Sequence, residues 1–141
     1  MTALARQHAS FALYQGRGPP GTQDVDVGTR VLQAFRASQS VSIPIYDKSA
    51  HRGAGDRQET WRHVQGEVDI VLFEGWCLGF QSMPFSELVQ RYEQGQAESP
   101  RPEYAAHPLE ELQLMNRHLA TWEQAWHPLI DAVSYTHLTL P

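Results

Sequence analysis

The chain has 141 residues, of which 41% are apolar, and a formal net charge of −5. This length is enough for one domain of ordinary globular composition. The acidic balance gives no general attraction to nucleic acid or to anionic membranes, and no apolar stretch approaches the roughly 20 residues of a membrane span. The single cysteine, Cys77, excludes an intrachain disulfide and is typical of a cytoplasmic protein.

The first predicted helix runs over residues 22–36 and follows a loop at 14–21 that is rich in Gly and Pro. Thr22 is the predicted N-cap, and apolar residues at helical spacing form the stripe that should be buried. Asp24 falls in the first turn, where a carboxylate interacts favourably with the helix dipole. That interaction is the purely structural interpretation of Asp24.

A strand is predicted at residues 42–46, where Pro44 favours an edge position. A charged loop with several glycines follows it. In that loop Lys48 and Arg57 are suited to hold a carboxylate or phosphate, and Asp47 is suited to orient a hydroxyl or accept its proton. The alternative is a solvated surface loop whose charges offset one another.

The apolar run at residues 68–73 predicts a parallel strand that is covered on both faces. It ends in Glu74 and Gly75. Because ligands of open α/β sheets bind beyond the carboxyl ends of the strands, Glu74 is a candidate partner for a metal or a phosphate. The alternative is an acid that is simply solvated where the strand reaches the surface.

Two further helices are predicted, a short one at residues 84–91 and a long one from Leu109. The long helix carries Leu, Met and Trp residues at helical spacing, which indicates packing and not a cofactor site. Asn116, on the same helix, is equally suited to bind a ligand or the backbone. The seven histidines lack metal-site spacing, and no G-x-S-x-G nucleophile motif occurs.

Several motifs together resemble the D-glycerate 3-kinase family of P-loop small-molecule kinases, which is related to uridine kinases, phosphoribulokinases and pantothenate kinases. The sequence RGPPGTQD at 17–24 is similar to the family's RGxPGTHD, with Gln23 in place of His. The segments PIYDKSA, GAGDR and VDIVLFEGW, together with the pattern of the long helix, also match. The resemblance implies an α/β fold, a partial P-loop kinase fold with a parallel sheet and flanking helices.

The same resemblance implies an ATP-dependent kinase that phosphorylates D-glycerate. Glu74 would hold Mg²⁺ and, with Asp47, serve catalysis. The substrate-side residues would be Asp24, Tyr46, Lys48 and Arg57. No nucleic-acid or membrane partner is expected. The alternatives are a kinase of the same fold with another acceptor and a short interaction protein without enzymatic activity.

The phosphate-binding motif G-x-x-x-x-G-K-[ST] is absent from the sequence. The GRGPPG stretch at 16–21 formally satisfies G-x-G-x-x-G, but its two prolines lack N–H groups and no strand precedes it. We therefore expect residues 1–132 to be a partial kinase domain that lacks the N-terminal P-loop unit and the C-terminal lid. Residues 133–141 do not resemble the family, and we expect them to be a non-native, adapter-derived tail.

Overall fold

The computed structural model describes residues 7–134, which combine helices with a small sheet, and so agrees with the predicted α/β class. The helices are α1 (Val25–Arg36), α2 (Phe85–Ala97) and α3 (Leu109–Ala125). The strands are β1 (Val41–Asp47) and β2 (Asp56–Val64). Short 3₁₀ turns occur at Ala12–Tyr14, Ala50–Gly53, Glu103–Ala106 and His127–Leu129.

Helix α1 begins two residues later than predicted, because its N-cap is Asp24 and not Thr22. The backbone N–H of Val27 donates to Asp24 Oδ1 at 3.1 Å, which satisfies one of the free donors at the start of the helix. The hydroxyl of Thr22 instead closes the preceding turn. It donates to the carbonyl of Pro19 and accepts from the N–H of Gly18.

Strands β1 and β2 form an antiparallel hairpin, with Val41 opposite Val64 and Asp47 opposite Asp56. The predicted strand at 42–46 is confirmed within β1, and Pro44 lies on a strand with a single neighbour in the described residues. Strand β2 was not predicted, and it begins at Asp56, within the last two residues of the charged loop. Nearly every residue of β2 is exposed, so the buried face that usually reveals a strand in a sequence is missing.

The predicted parallel strand at residues 68–73 is wrong for the described structure, where this segment is irregular, bends at Asp69 and pairs with no strand. Its alternate side chains Ile70 and Leu72 are 87% and 92% exposed. A parallel strand gains its stability from neighbours and covered faces. Within residues 7–134 the only sheet is the β1–β2 hairpin, which provides neither for this segment.

Helix α2 extends to Ala97, beyond the predicted end at residue 91, and it begins after Pro84. The segment before it is fixed by α3. Asn116 forms a paired contact with the backbone of Met83, accepting from its N–H at 2.9 Å and donating to its carbonyl at 2.8 Å. Glu123 accepts from the N–H and the hydroxyl of Ser82. Of its two predicted partners, Asn116 therefore binds the backbone.

The core lies between α1 and α3, as the apolar stripe of α3 predicted. Trp122 and Trp126 are 2% and 4% exposed and stack at 5.1 Å between ring centroids. Gly28 of α1 faces the Trp126 ring so closely that a Cβ would lie 2.9 Å from it. Phe73 meets the same ring edge-to-face. The otherwise exposed 68–73 segment is thereby joined to the core at its end.

None of the helices within residues 7–134 is long and apolar enough to cross a membrane. The predicted tail at 133–141 falls outside the described residues from position 135 onward.

Candidate functional site

A cleft of about 780 Å³ lies between α1, the β1–β2 hairpin and the segment 71–73. Its floor is apolar and includes Val27, Val31, Phe35 and Phe73. Its polar side chains come from the loop before α1 and from the hairpin, and they are Arg17, Thr22, Gln23, Asp24, Tyr46, Asp56 and Arg57. An apolar cleft with a few convergent polar groups is the usual form of a small-molecule site.

The structure brings together Asp24 and Arg57, which the sequence separates by 33 positions. Arg57 Nη1 donates to Asp24 Oδ2 at 2.8 Å, and the two side chains are 41% and 43% exposed. The N–H of Val27, and then Arg57, hold the pKa of Asp24 below its usual range. Asp24 therefore acts as a helix cap and also positions the guanidinium of Arg57.

Tyr46 lines the same cleft and stands opposite Arg57 in the strand ladder. Its hydroxyl donates to the carbonyl of Ala54 at 3.4 Å. Gly55 has φ +79° and lies against the Tyr46 ring, where a Cβ would come within 2.5 Å of the hydroxyl. Glycine is therefore required at this turn both for its backbone conformation and for the space that the ring occupies.

Asp47 and Lys48, by contrast, do not line the cleft. Asp47 Oδ1 accepts from the N–H of Ser49 at 2.8 Å and from its hydroxyl at 2.6 Å, so it stabilises the turn at the end of β1. The hydroxyl of Ser49, followed by its backbone N–H, lowers the pKa of Asp47. Lys48 is exposed and forms no ion pair with any residue of the described chain.

Glu74 lies in a second cleft of about 710 Å³, which shares Leu72 and Phe73 with the first. Its carboxylate is exposed. No group of three or more potential metal ligands occurs in the part of the chain that the structure describes. Mg²⁺ often takes only one or two protein carboxylates and completes its shell with water and phosphate oxygens. A lone, accessible Glu74 fits that kind of site.

The glycine-rich loop at 16–21 offers no cradle for the phosphates of ATP. The N–H of Gly18 donates to Thr22 Oγ1 at 2.9 Å, and Pro19 and Pro20 have no N–H to offer. A phosphate site of this type needs several free backbone donors directed at one point. The residues of this loop therefore do not fit the role of an ATP site.

A buried polar cluster supports the loop from the side of α3. The hydroxyl of Tyr14 donates to the carbonyl of Pro20 at 3.1 Å, and burial raises the pKa of Tyr14 to about 12. His118 packs edge-on against Tyr14 and so close to Gly21 that a Cβ would lie 2.3 Å from its ring. Burial lowers the pKa of His118, which favours the neutral ring.

Arg17, Gln23 and Asp56 were missed by the sequence-based site prediction. Asp56 lies at the start of β2, where its two oxygens accept from the N–H of Arg57 at 2.7 Å and contact His51 Nε2 at 3.0 Å. Arg17 and Gln23 belong to the RGPPGTQD stretch, which was already singled out. The sequence signal that could have identified Arg17 and Gln23 is their position in the same motif as Asp24.

Comparison with known proteins finds similarity to kinases along nearly the whole chain. D-glycerate 3-kinase of Arabidopsis thaliana, a chloroplastic protein, is 31% identical over 135 residues, which are 92% of this chain and 26% of that protein. A Saccharomyces cerevisiae protein named "Probable ATP-dependent kinase TDA10" is 41% identical over 83 residues, 55% of this chain and 29% of that protein. No family model matches the chain.

Among solved structures, D-glycerate 3-kinase from Cryptococcus neoformans var. grubii superposes with a TM-score of 0.82 at 32% identity. The match covers 91% of this chain and 45% of that structure. The chain thus spans about a quarter of the plant relative and less than half of the fungal structure. The resemblance to D-glycerate 3-kinases and the partial kinase fold predicted from the sequence are confirmed.

Proposed function

We propose that this chain is part of an ATP-dependent kinase that transfers a phosphoryl group to a hydroxyl of D-glycerate. The observation that carries the proposal is the match to a D-glycerate 3-kinase structure over nine tenths of the chain, at a TM-score of 0.82. The similarity to a plant protein of the same name over 92% of the chain supports it.

The cleft is the proposed acceptor site. Its apolar floor and its few polar side chains suit a small polar molecule. Arg57 suits an acidic one, because a guanidinium binds a carboxylate through two parallel hydrogen bonds. Asp24 holds Arg57 in place, and Tyr46 lines the approach. A free nucleoside, which carries no negative charge, would make no use of Arg57.

Asp47 and Lys48 keep their predicted roles as proton acceptor and point charge only as proposals. They lie on the hairpin that also carries Tyr46 and Arg57, but they are not among the residues that line the cleft. Their side chains would have to act from the end of β1, where Asp47 is already bonded to Ser49.

Glu74 is the proposed ligand of Mg²⁺. The bound ion would neutralise charge on the phosphoryl group during transfer. Since the sequence contains no G-x-x-x-x-G-K-[ST] motif and the loop at 16–21 offers no phosphate cradle, ATP would be bound by other parts of the complete protein. We also propose a cytoplasmic location, based on the single cysteine.

The proposal is tested on the complete protein by measuring Mg²⁺-dependent ADP formation with D-glycerate, ribulose 5-phosphate, uridine and pantothenate. We expect kcat/KM for D-glycerate to exceed that for each other acceptor by about tenfold or more, a difference of roughly 1.4 kcal/mol in transition-state binding. Turnover with another acceptor alone would assign the protein to a different kinase of the same fold.

The metal assignment has its own test. Glu74→Gln removes the charge and keeps the shape, and we expect it to lower kcat by about two orders of magnitude, roughly 3 kcal/mol. Glu67→Gln is the matched control, since Glu67 is also exposed but lies in neither cleft. A kcat within about twofold of wild type for Glu74→Gln would contradict the assignment.

A further inference from the structure

The acids of the acceptor cleft are already engaged by the protein. Asp24 accepts from the N–H of Val27 and from Arg57, one donor at each oxygen. Asp56 is bonded in the same way by the N–H of Arg57 and by His51. These partners keep both carboxylates ionised and directed at protein atoms. The cleft is therefore poorly suited to bind a cation through them.

Unlike the two acids, the two arginines of the cleft still have N–H groups that are free to bind a ligand. Arg57 uses Nη1 to reach Asp24, and Arg17 uses Nη1 to reach the carbonyls of Gly53 at 2.6 Å and Ala54 at 3.2 Å. Within residues 7–134, the side-chain hydrogen bonds of both arginines use Nη1 alone and leave Nε and Nη2 without a protein partner. A guanidinium with a free edge is well shaped to bind a carboxylate.

Arg17 is held at a fixed place beside the other cleft residues. The carbonyl of Ala54 accepts from Arg17 and also from the hydroxyl of Tyr46, which is 3.4 Å away. Tyr46 in turn stands opposite Arg57 in the ladder. Arg17 thus reaches the hairpin from the loop before α1, so that two separate elements supply cations to one cleft.

Gln23 also lines the cleft, and its side-chain amide is only half satisfied. Its Nε2 donates to the carbonyl of Gly18 at 2.7 Å, which fixes the orientation of the amide. Its Oε1 is buried and has no hydrogen-bond partner among residues 7–134. A buried acceptor without a partner is costly, and a hydroxyl group of a ligand can relieve that cost.

From these contacts we infer that Arg17 is a substrate-binding residue that shares the carboxylate of a small hydroxy acid with Arg57, while Gln23 accepts a hydrogen bond from the hydroxyl of that acid. This inference rests on the proposed function, which supplies the acidic acceptor. It assigns the second cation of the site to Arg17 and not to Lys48, which lies outside the cleft.

The test is a binding titration of the 141-residue chain, followed through the side-chain N–H resonances of its arginines. The ligands are D-glycerate, lactate as a second hydroxy acid, propionate as an acid without a hydroxyl, and glycerol as hydroxyls without an acid. We expect Arg17→Gln to raise the Kd for D-glycerate about tenfold and Arg17→Lys to raise it less. The control Arg62→Gln removes an exposed charge of β2 outside the cleft and should leave the Kd within about twofold.

A second pair of measurements isolates Gln23. Gln23→Leu should weaken binding of D-glycerate and lactate but leave binding of propionate unchanged, because propionate has no hydroxyl that could donate a hydrogen bond to Gln23. Glycerol should bind far more weakly than D-glycerate. Equal binding of propionate and D-glycerate to the wild-type chain would overturn the assignment of a hydroxy acid.

The outcomes separate this inference from the proposed function. Wild-type affinity in Arg17→Gln, with weakened binding in Arg57→Gln, would overturn the role of Arg17 and leave the kinase proposal intact. Arg17-dependent binding of lactate without binding of D-glycerate would support the inference and contradict the glycerate assignment. No binding of any of the acids would overturn the inference. In the complete enzyme, Arg17→Gln should raise KM for glycerate and leave KM for ATP unchanged, whereas a purely structural defect would change both.

Discussion

Asp24 has two partners, and a pair of substitutions can separate what each contributes. The N–H of Val27 makes Asp24 the N-cap of α1, and Arg57 makes it half of an ion pair. Asparagine is as good an N-cap as aspartate but carries no charge, whereas alanine can do neither. Asp24→Asn therefore removes the ion pair alone, and Asp24→Ala removes the ion pair and the cap.

The magnitudes follow from the exposure of the pair. With side chains 41% and 43% exposed, the ion pair contributes only about 0.2–1 kcal/mol, because solvent screens it. Loss of an N-cap costs about 1 kcal/mol, within a range of roughly 0.5–2. We expect Asp24→Ala to lower the free energy of unfolding by about 1–2.5 kcal/mol and Asp24→Asn by less than about 1 kcal/mol.

The assay is urea unfolding of the chain with helix content as the signal, in which a shift of the midpoint at constant slope reports stability. Asp26→Asn is the control, since Asp26 lies in the first turn of the same helix but is exposed and is not the cap. If Asp24→Asn destabilises as much as Asp24→Ala, the cap does not dominate and this reasoning is refuted.

Three further predictions follow from single contacts. The pKa of Asp24 is depressed in the folded chain, so its contribution to the free energy of unfolding is present above the unfolded pKa of about 3.9 and is lost as pH falls through the folded value. Urea unfolding at pH 2–6 should therefore show a smaller loss of stability on acidification in Asp24→Asn than in wild type. Gly21→Ala should destabilise the chain by about 1–3 kcal/mol, because Gly21 has φ +99° and faces the His118 ring. Gly16→Ala should be close to neutral in the same urea assay, because a Cβ at Gly16 would have no atom within 4 Å. Trp122→Ala should lower the free energy of unfolding by about 3–5 kcal/mol, whereas Trp76→Ala, at a side chain that is 74% exposed, should lower it by less than about 1 kcal/mol. Equal losses for the two variants in thermal unfolding would contradict the described core.

Local pattern was sufficient to predict the helices and the first strand. The apolar stripe of α3 predicted the buried face that contains Trp122 and Trp126, and the run at 42–46 predicted β1, because both signals come from neighbouring residues. The run at 68–73 carried an equally strong signal but lacks pairing partners in the described structure. Strand formation depends on neighbours that a run of residues cannot reveal.

The candidate site was predicted only in part, for a related reason. The sequence marked Asp24, Tyr46 and Arg57 separately, but the contact between Asp24 and Arg57 joins residues 33 positions apart and depends on the fold. Glu111 was not predicted to be buried because its side chain is charged, yet it is fully covered and accepts from the N–H of Leu13. Buried polar groups are placed by specific partners and not by periodicity.

The central claim is that the cleft around Arg57 is the acceptor site of a glycerate kinase. The most direct measurement is the KM of Arg57→Lys in the complete enzyme, determined separately for D-glycerate and for ATP, with Arg62→Lys as the control on the same strand. Because a point charge cannot replace the two parallel hydrogen bonds of a guanidinium, we predict that KM for D-glycerate rises about tenfold while KM for ATP stays within about twofold. An unchanged KM for D-glycerate, or an equal rise in both constants, would contradict the claim.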